Sequence, residues 1–236
     1  MTTINIRKMI SPMDKFDASW FEAIGRVLFE PIVIQIAKKV NAEREEKEVL
    51  PPTGSNLIFE AFNITPLKEV KVVILGQDPY HDVNSYNGLA FGNGKPDEDY
   101  TGTISPSLRN VLKEAKENED DKIDVSLYSW AKQGVLLINT AHTVVKGDPG
   151  SHLKIWEDFT EIIMDALQTK SNVVWMMWGA KAQNYIPRIT NDTHAIISTG
   201  HPSPLNRNGT FNGSGCFKKC NELLKEMGLK EIQWTI

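Results

Sequence analysis

An aspartate, an asparagine and a histidine each stand just after a separate apolar run of this sequence. The run Val72-Val73-Ile74-Leu75 breaks at Gly76 into Gln77-Asp78-Pro79-Tyr80-His81. Val135 to Ile138 ends at Asn139-Thr140, and Ala195 to Ser198 leads into Gly200-His201-Pro202-Ser203. A further run, Val173 to Trp178, ends at Gly179-Ala180. A carboxylate, an amide and an imidazole together suit hydrolysis or ligand binding that needs neither a metal nor a covalent serine. Taken singly, each has a plain structural role. Asp78 could cap a turn, Asn139 could satisfy loop backbone, and His201 could be a hydrogen-bonded core histidine. All three at strand ends, with Gly and Pro fixing the turns, point to a site, because ligands of open α/β sheets bind beyond the carboxyl ends of strands.

Other chemistries lack their signatures. No GxGxxG follows the first run, no GxxxxGK[ST] occurs, and no GxSxG elbow is present. The five histidines (His81, His142, His152, His194, His201) show no metal-ligand spacing. The two cysteines, Cys216 and Cys220, are four apart at helical spacing, which suits a reduced pair in an intracellular compartment better than a disulfide framework. Two thiols alone do not complete a zinc or iron–sulfur site.

The elements that must hold these residues follow from periodicity. The β-branched apolar runs read as buried strands, and helices are expected between them: Ser107 to Glu117 with Ser105 as N-cap and Pro106 as first helical residue, Ser126 to Lys132, Trp156 to Thr169, a short helix after Gly179, and Phe217 to Met227. Before the first strand, Trp20 to Glu48 is helical in pattern, with Pro31 marking a break between two helices, and Leu57 to Phe62 forms a short helix behind the turn 51–56. Strands alternating with helices indicate a parallel sheet covered on both faces, in one domain.

Composition agrees with a globular protein of 236 residues, 41% hydrophobic and 24% charged. No run approaches the ~18 apolar residues of a membrane span, and the first residues show no secretion pattern. Net charge is -4, which argues against a large nucleic-acid footprint. Residues 171–236 nevertheless carry seven Lys and Arg against four Asp and Glu, so a polyanion should meet the C-terminal third at a small contact.

GQDPYH at 76–81, GLAF at 88–91, LLINT at 136–140 and HPSPL at 201–205 resemble the motifs of family 1 uracil-DNA glycosylases. The similarity runs from Leu50 to about Trp234. It implies an α/β fold, a three-layer α/β/α single domain around a four-stranded parallel sheet; residues 1–15 themselves read as a flexible tail, leaving 16–236 as the catalytic domain. It also implies excision of uracil from DNA with no metal and no cofactor, leaving an abasic site. By resemblance, Asp78 positions water and stabilises the sugar cation, and His201 stabilises the uracil O2 oxyanion as a neutral imidazole. Phe91 stacks on the flipped base, Asn139 reads uracil, Tyr80 excludes the thymine methyl, and Gln77 lines the pocket through its backbone. Leu205 wedges into the duplex. Pro106 and Ser107, Gly179 and Ala180, Ser203, Asn206 and His81 lie near DNA phosphates. Gripping phosphates at several short loops would reconcile DNA binding with a negative net charge.

The family pattern is not followed everywhere. Asp82 to Asn87 replaces the usual Gly-Pro-Gly, the proline-rich stretch is thinned to Ser105-Pro106, Ala180 replaces a serine, Asn206 replaces a small residue, and Gly92 stands where serine is common. The partners expected are single- and double-stranded DNA containing uracil, and a protein inhibitor that mimics DNA; no membrane is involved. The protein is expected to be a monomer, intracellular, and cytoplasmic if of prokaryotic or viral origin. Two competing readings are a non-catalytic scaffold of the same fold that binds DNA or a replication partner, and a related glycosylase with a different preferred base, against which Tyr80 and Asn139 speak.

Overall fold

Four continuous apolar runs become the four strands of one parallel sheet: β2 (Val72–Gly76), β3 (Val135–Asn139), β5 (Val174–Trp178) and β6 (Ala195–Thr199), in the order β3-β2-β5-β6. The computed structural model of the chain describes residues 16–81, 85–94, 102–206 and 209–236. The tail expected at residues 1–15 lies outside the described residues, as do positions 82–84 of the divergent loop. Val72 to Leu75, Val135 to Ile138 and Val174 to Trp178 are almost wholly buried, as expected of strands covered on both faces. β6 departs from the buried strand expected there. It has a neighbour on one side only, and Ile196 is 37% exposed while Ile197 is buried. β3, the other edge, is buried throughout, so the difference lies in the cover: one face of β6, with Ile196 and Ser198, is left open to solvent.

Helices cover the sheet in two layers. In one, α1 (Ala18–Ile24), α2 (Arg26–Arg44) and α6 (Leu153–Gln168) contact one another, and Phe16, Phe29, Phe59, Phe62 and Phe159 form a continuous aromatic cluster. In the other, α8 (Cys216–Glu226) lies on β5 and β6, with α4 (Pro106–Ala115) beside it. Ser105 caps α4 by accepting from Leu108 N at 3.1 Å, and Pro106 occupies the first helical position. The short helices α3 (Glu60–Ile64) and α5 (Tyr128–Ala131) contact β3, and α7 (Gly179–Gln183) follows β5 directly. Cys216 and Cys220 are free and buried; burial pushes the Cys216 thiol up to about 11 and that of Cys220 higher still.

Two details correct the expected elements. The break between the first helices falls at Gly25, whose φ of 81° suits glycine, and Pro31 lies inside α2. Proline there forfeits one backbone hydrogen bond, while burial of Phe29, Val33, Ile36 and Val40 keeps the helix continuous. In addition, β1 (Val49–Leu50) pairs antiparallel with β4 (Val144–Val145) outside the main sheet. This small ribbon anchors the start of the loop 146–152.

Candidate active site

In-register pairing sets the site. Gly76 faces Asn139 across β2 and β3, and Trp178 faces Thr199 across β5 and β6, so the chain leaves all four strands at one rim. A cleft of about 1370 Å³ opens there. Small-molecule sites occupy roughly 300–1,000 Å³, so this one has room beyond a single base. Asp78, Tyr80, Phe91, Asn139 and His201 line it, as do Gln77, His81, Ser107, Gly179, Ala180, Ser203, Leu205 and Asn206. Pro106 is the one predicted site residue outside the lining; it is exposed at the start of α4.

Asp78 is held from two sides. Its Oδ2 accepts from Gly150 N at 2.5 Å and from Gln77 Nε2 at 3.0 Å, while Oδ1 accepts from no described residue. Gly150 belongs to the loop after β4, and its φ of 87° favours glycine. The same loop reaches His81, where Gly147 N donates to Nδ1 at 3.2 Å. The Gln77 side chain also takes part: Oε1 accepts from Lys181 Nζ, while its backbone carbonyl accepts from Ala141 N at 2.8 Å and Thr140 Oγ1 at 3.1 Å.

The pocket wall is built by Tyr80 and Phe91. The Tyr80 hydroxyl donates to the Phe91 carbonyl at 2.7 Å and shares a 2.8 Å hydrogen bond with Ser105 Oγ, so the helix cap also fixes the tyrosine. Phe91 adopts φ 65°, which turns its ring edge-on to Trp178 at 5.3 Å. A β-carbon on the next residue, Gly92, would stand 2.5 Å from the Ser126 carbonyl oxygen. That crowding accounts for glycine at a position where serine was the family expectation. Asn139 is only 8% exposed, and its side-chain amide makes no hydrogen bond to any described residue. A fully buried amide without partners is costly; that of Asn139 lines the cleft and is not among the buried side-chain atoms left without a partner. Gly76 leaves it space, since a β-carbon there would lie 2.1 Å from Asn139 Oδ1.

The fourth strand end carries a braced loop. Asn110 Nδ2 donates to the Pro202 carbonyl at 2.6 Å, Asn206 Nδ2 to the His201 carbonyl at 3.1 Å, and Leu205 N to Ser203 Oγ at 3.2 Å. Ser203 N donates to His201 Nδ1 at 3.0 Å. Burial and the nearby Lys181 cation both push the His201 pKa below its ordinary value. Gly179, at φ 83°, packs so closely that a β-carbon would be 2.7 Å from His201 Cβ. Leu205 projects from the tip, 88% exposed. Among the described residues no three His, Cys, Asp or Glu side chains converge as a metal ion would require.

The model of the uracil DNA glycosylase superfamily matches residues 62–225, well over half of the chain. The chain belongs to that superfamily. It is 40% identical over 228 residues to the uracil-DNA glycosylase of Agathobacter rectalis, covering 95% of this chain and 99% of that one. It is 38% identical over 231 residues to the Azotobacter vinelandii uracil-DNA glycosylase, at 94% and 95% coverage. The solved mimivirus uracil-DNA glycosylase shares the fold at TM-score 0.80 and 26% identity, over 98% of this chain and 91% of that one. A variant of the mimivirus enzyme, in complex with UGI, superposes equally well. Within the superfamily this chain is an enzyme, a DNA glycosylase that hydrolyses the bond between uracil and its sugar. Gly150 and Lys181, which hydrogen-bond to Asp78 and Gln77, are residues beside this turn that sequence reasoning missed. Neither lies in a motif, and each meets that turn only through the fold.

Proposed function

We propose that the protein excises uracil from DNA through Asp78 and His201, after flipping the deoxyuridine out of the stack into the cleft. Flipping costs a few kcal/mol. Leu205 fills the space left behind, and its exposure at the tip of a braced loop supports that role. Ser107 at the start of α4, Gly179 with Ala180, His81, and Ser203 with Asn206 line the cleft from four separate segments and hold the phosphates around the flipped nucleotide. At such loops backbone N–H groups and hydroxyls can stand in for lysines. Ala180 offers no hydroxyl, so that contact is made by backbone alone.

In the pocket, Phe91 stacks on the base and the Asn139 amide donates to uracil O4 while accepting from N3–H. Cytosine presents the opposite pattern. The Tyr80 ring, fixed through its hydroxyl, stands against C5 and excludes the thymine methyl. As the glycosidic bond breaks, positive charge builds on the sugar and negative charge on uracil O2. Asp78, fixed through Oδ2, presents Oδ1 to the water and to the sugar cation. His201 donates from Nε2 to O2. Such preorganised electrostatic contacts are often the largest catalytic contribution.

The observation that carries this reading is the meeting of Asp78, Asn139 and His201 at one cleft from three strand ends. The partners proposed are single- and double-stranded uracil-containing DNA and, given the UGI complex of the mimivirus relative, a protein inhibitor that occupies the same cleft. We further propose a monomer in a reducing, intracellular compartment, where Cys216 and Cys220 stay free. The test is cleavage of oligonucleotides bearing uracil, thymine or cytosine, with and without a chelator, by the wild type and by Asp78→Asn. Uracil-specific release that persists with chelator and drops by orders of magnitude in the variant is expected. Wild-type turnover in Asp78→Asn on single-stranded DNA would remove the aspartate from its role.

A further inference from the structure

Lys181 belongs to none of the sequence motifs, yet its ammonium touches the catalytic turn. Nζ donates to Gln77 Oε1, and Gln77 Nε2 donates to Asp78 Oδ2 at 3.0 Å. The bridge joins two strand ends: Lys181 lies in α7 at the end of β5, and Gln77 and Asp78 follow β2. We propose that Lys181 is a positioning residue for Asp78, acting through the amide of Gln77.

The reasoning rests on donors and acceptors. An ammonium only donates and a carboxylate only accepts, whereas an amide offers one of each. Between the two, the amide has a single orientation that satisfies both neighbours; the reversed one would set N–H against N–H and oxygen against oxygen. Lys181 therefore selects the orientation in which Gln77 donates to Asp78. With Gly150 N on the same Oδ2 at 2.5 Å, two donors from different loops converge on one carboxylate oxygen. The carboxylate rotamer is thereby fixed and Oδ1 is left facing the cleft. Without the lysine, the amide is free to turn and one of the two restraints is lost. Lys181 is exposed, so the restraint is worth about one ordinary hydrogen bond, not a buried ion pair.

The inference rests on the role of Asp78 proposed above, and a double-mutant cycle separates the two. Turnover on a single-stranded uracil oligonucleotide is measured at about pH 8, where His201 is neutral with or without a cation nearby. Lys181→Met is expected to lower kcat by about five-fold, the scale of one exposed hydrogen bond, with KM and its salt dependence unchanged. Lys181→Arg, also donor-only, should restore kcat. In an Asp78→Asn background Lys181→Met should have no further effect. Equal losses in both backgrounds, failure of arginine to rescue, or an effect confined to KM and its salt dependence would each overturn the positioning role, the last making Lys181 a phosphate contact. Undiminished turnover in Asp78→Asn alone would instead overturn the reading of Asp78.

Discussion

The backbone N–H of Ser203 donates to Nδ1 of His201 at 3.0 Å, and this bond decides which ring nitrogen carries the proton. With Nδ1 accepting, the neutral ring bears hydrogen on Nε2, which can donate to an oxyanion. An imidazolium would set a second N–H against that of Ser203. Burial and the Lys181 cation oppose it as well.

The first prediction concerns this histidine. In the proposed mechanism the neutral form is the active one, and its pKa is depressed, so kcat should persist as pH falls past the ordinary histidine value of ~6.5 and decline only further into acid. His201→Ala should lower turnover by about 10²–10³-fold, the usual effect of removing one oxyanion donor. Fluorescence anisotropy should show DNA binding largely retained. A decline in kcat centred above pH ~6.5 in the wild type would contradict the tautomer argument.

The apolar strands and the polar turns that follow them were legible because each signal is local. Four unbroken apolar runs read as strands wherever they fold, and Asp78, Asn139 and His201 sit within four residues of a strand end. Ser105 and Pro106 announced a helix start for the same reason. What stayed hidden depends on residues distant in sequence. Gly150 meets Asp78 across 72 positions and Lys181 meets Gln77 across 104. Pro31 was misleading because a local rule, that proline ends helices, yields to the burial of four large side chains along α2. β6 looked like its neighbours in composition, and only the packing of the fold leaves one of its faces open to solvent.

Leu205 offers a second prediction. At 88% exposure its side chain contributes little to the folded state, so Leu205→Ala should change stability by no more than about 0.5 kcal/mol. A wedge matters only where a stack must be opened. The variant should therefore lose activity on duplex DNA while single-stranded DNA is cleaved nearly as before. Equal losses on both substrates would assign Leu205 to general DNA contact.

A third prediction concerns stability. His142 is buried against Phe59, Phe62, Trp156 and Phe159, and its Nδ1 is 3.0 Å from the Ile58 carbonyl oxygen. Burial pushes its pKa down to about 4. The unfolded chain then binds more protons than the folded one between that value and the ordinary ~6.5, so stability is fully present above ~6.5 and lost as pH falls through this window. At ~1.4 kcal/mol per unit the histidine alone removes about 3 kcal/mol. Denaturant titrations of the wild type and His142→Phe should show the wild type losing stability more steeply as the medium is acidified across this window. Parallel pH curves would mean that His142 is not protonated on unfolding.

The last prediction separates reading a base from making room for it. Asn139 presents a nearly buried amide with no partner among the described residues, and only the absence of a β-carbon at Gly76 lets its Oδ1 sit where it does. Asn139→Asp replaces the donor to O4 with an acceptor that suits the N4 amino group of cytosine. Selectivity of the order of 10⁴ or more, typical of sites that pair such groups, should fall as uracil release slows and cytosine release becomes measurable. Gly76→Ala leaves the amide in place chemically but displaces it, because its new carbon would lie 2.1 Å from Oδ1. That variant should lose uracil release without gaining any on cytosine. If Gly76→Ala admitted cytosine, or Asn139→Asp left the preference intact, discrimination would reside in pocket shape, with no role for hydrogen bonds to the base edge.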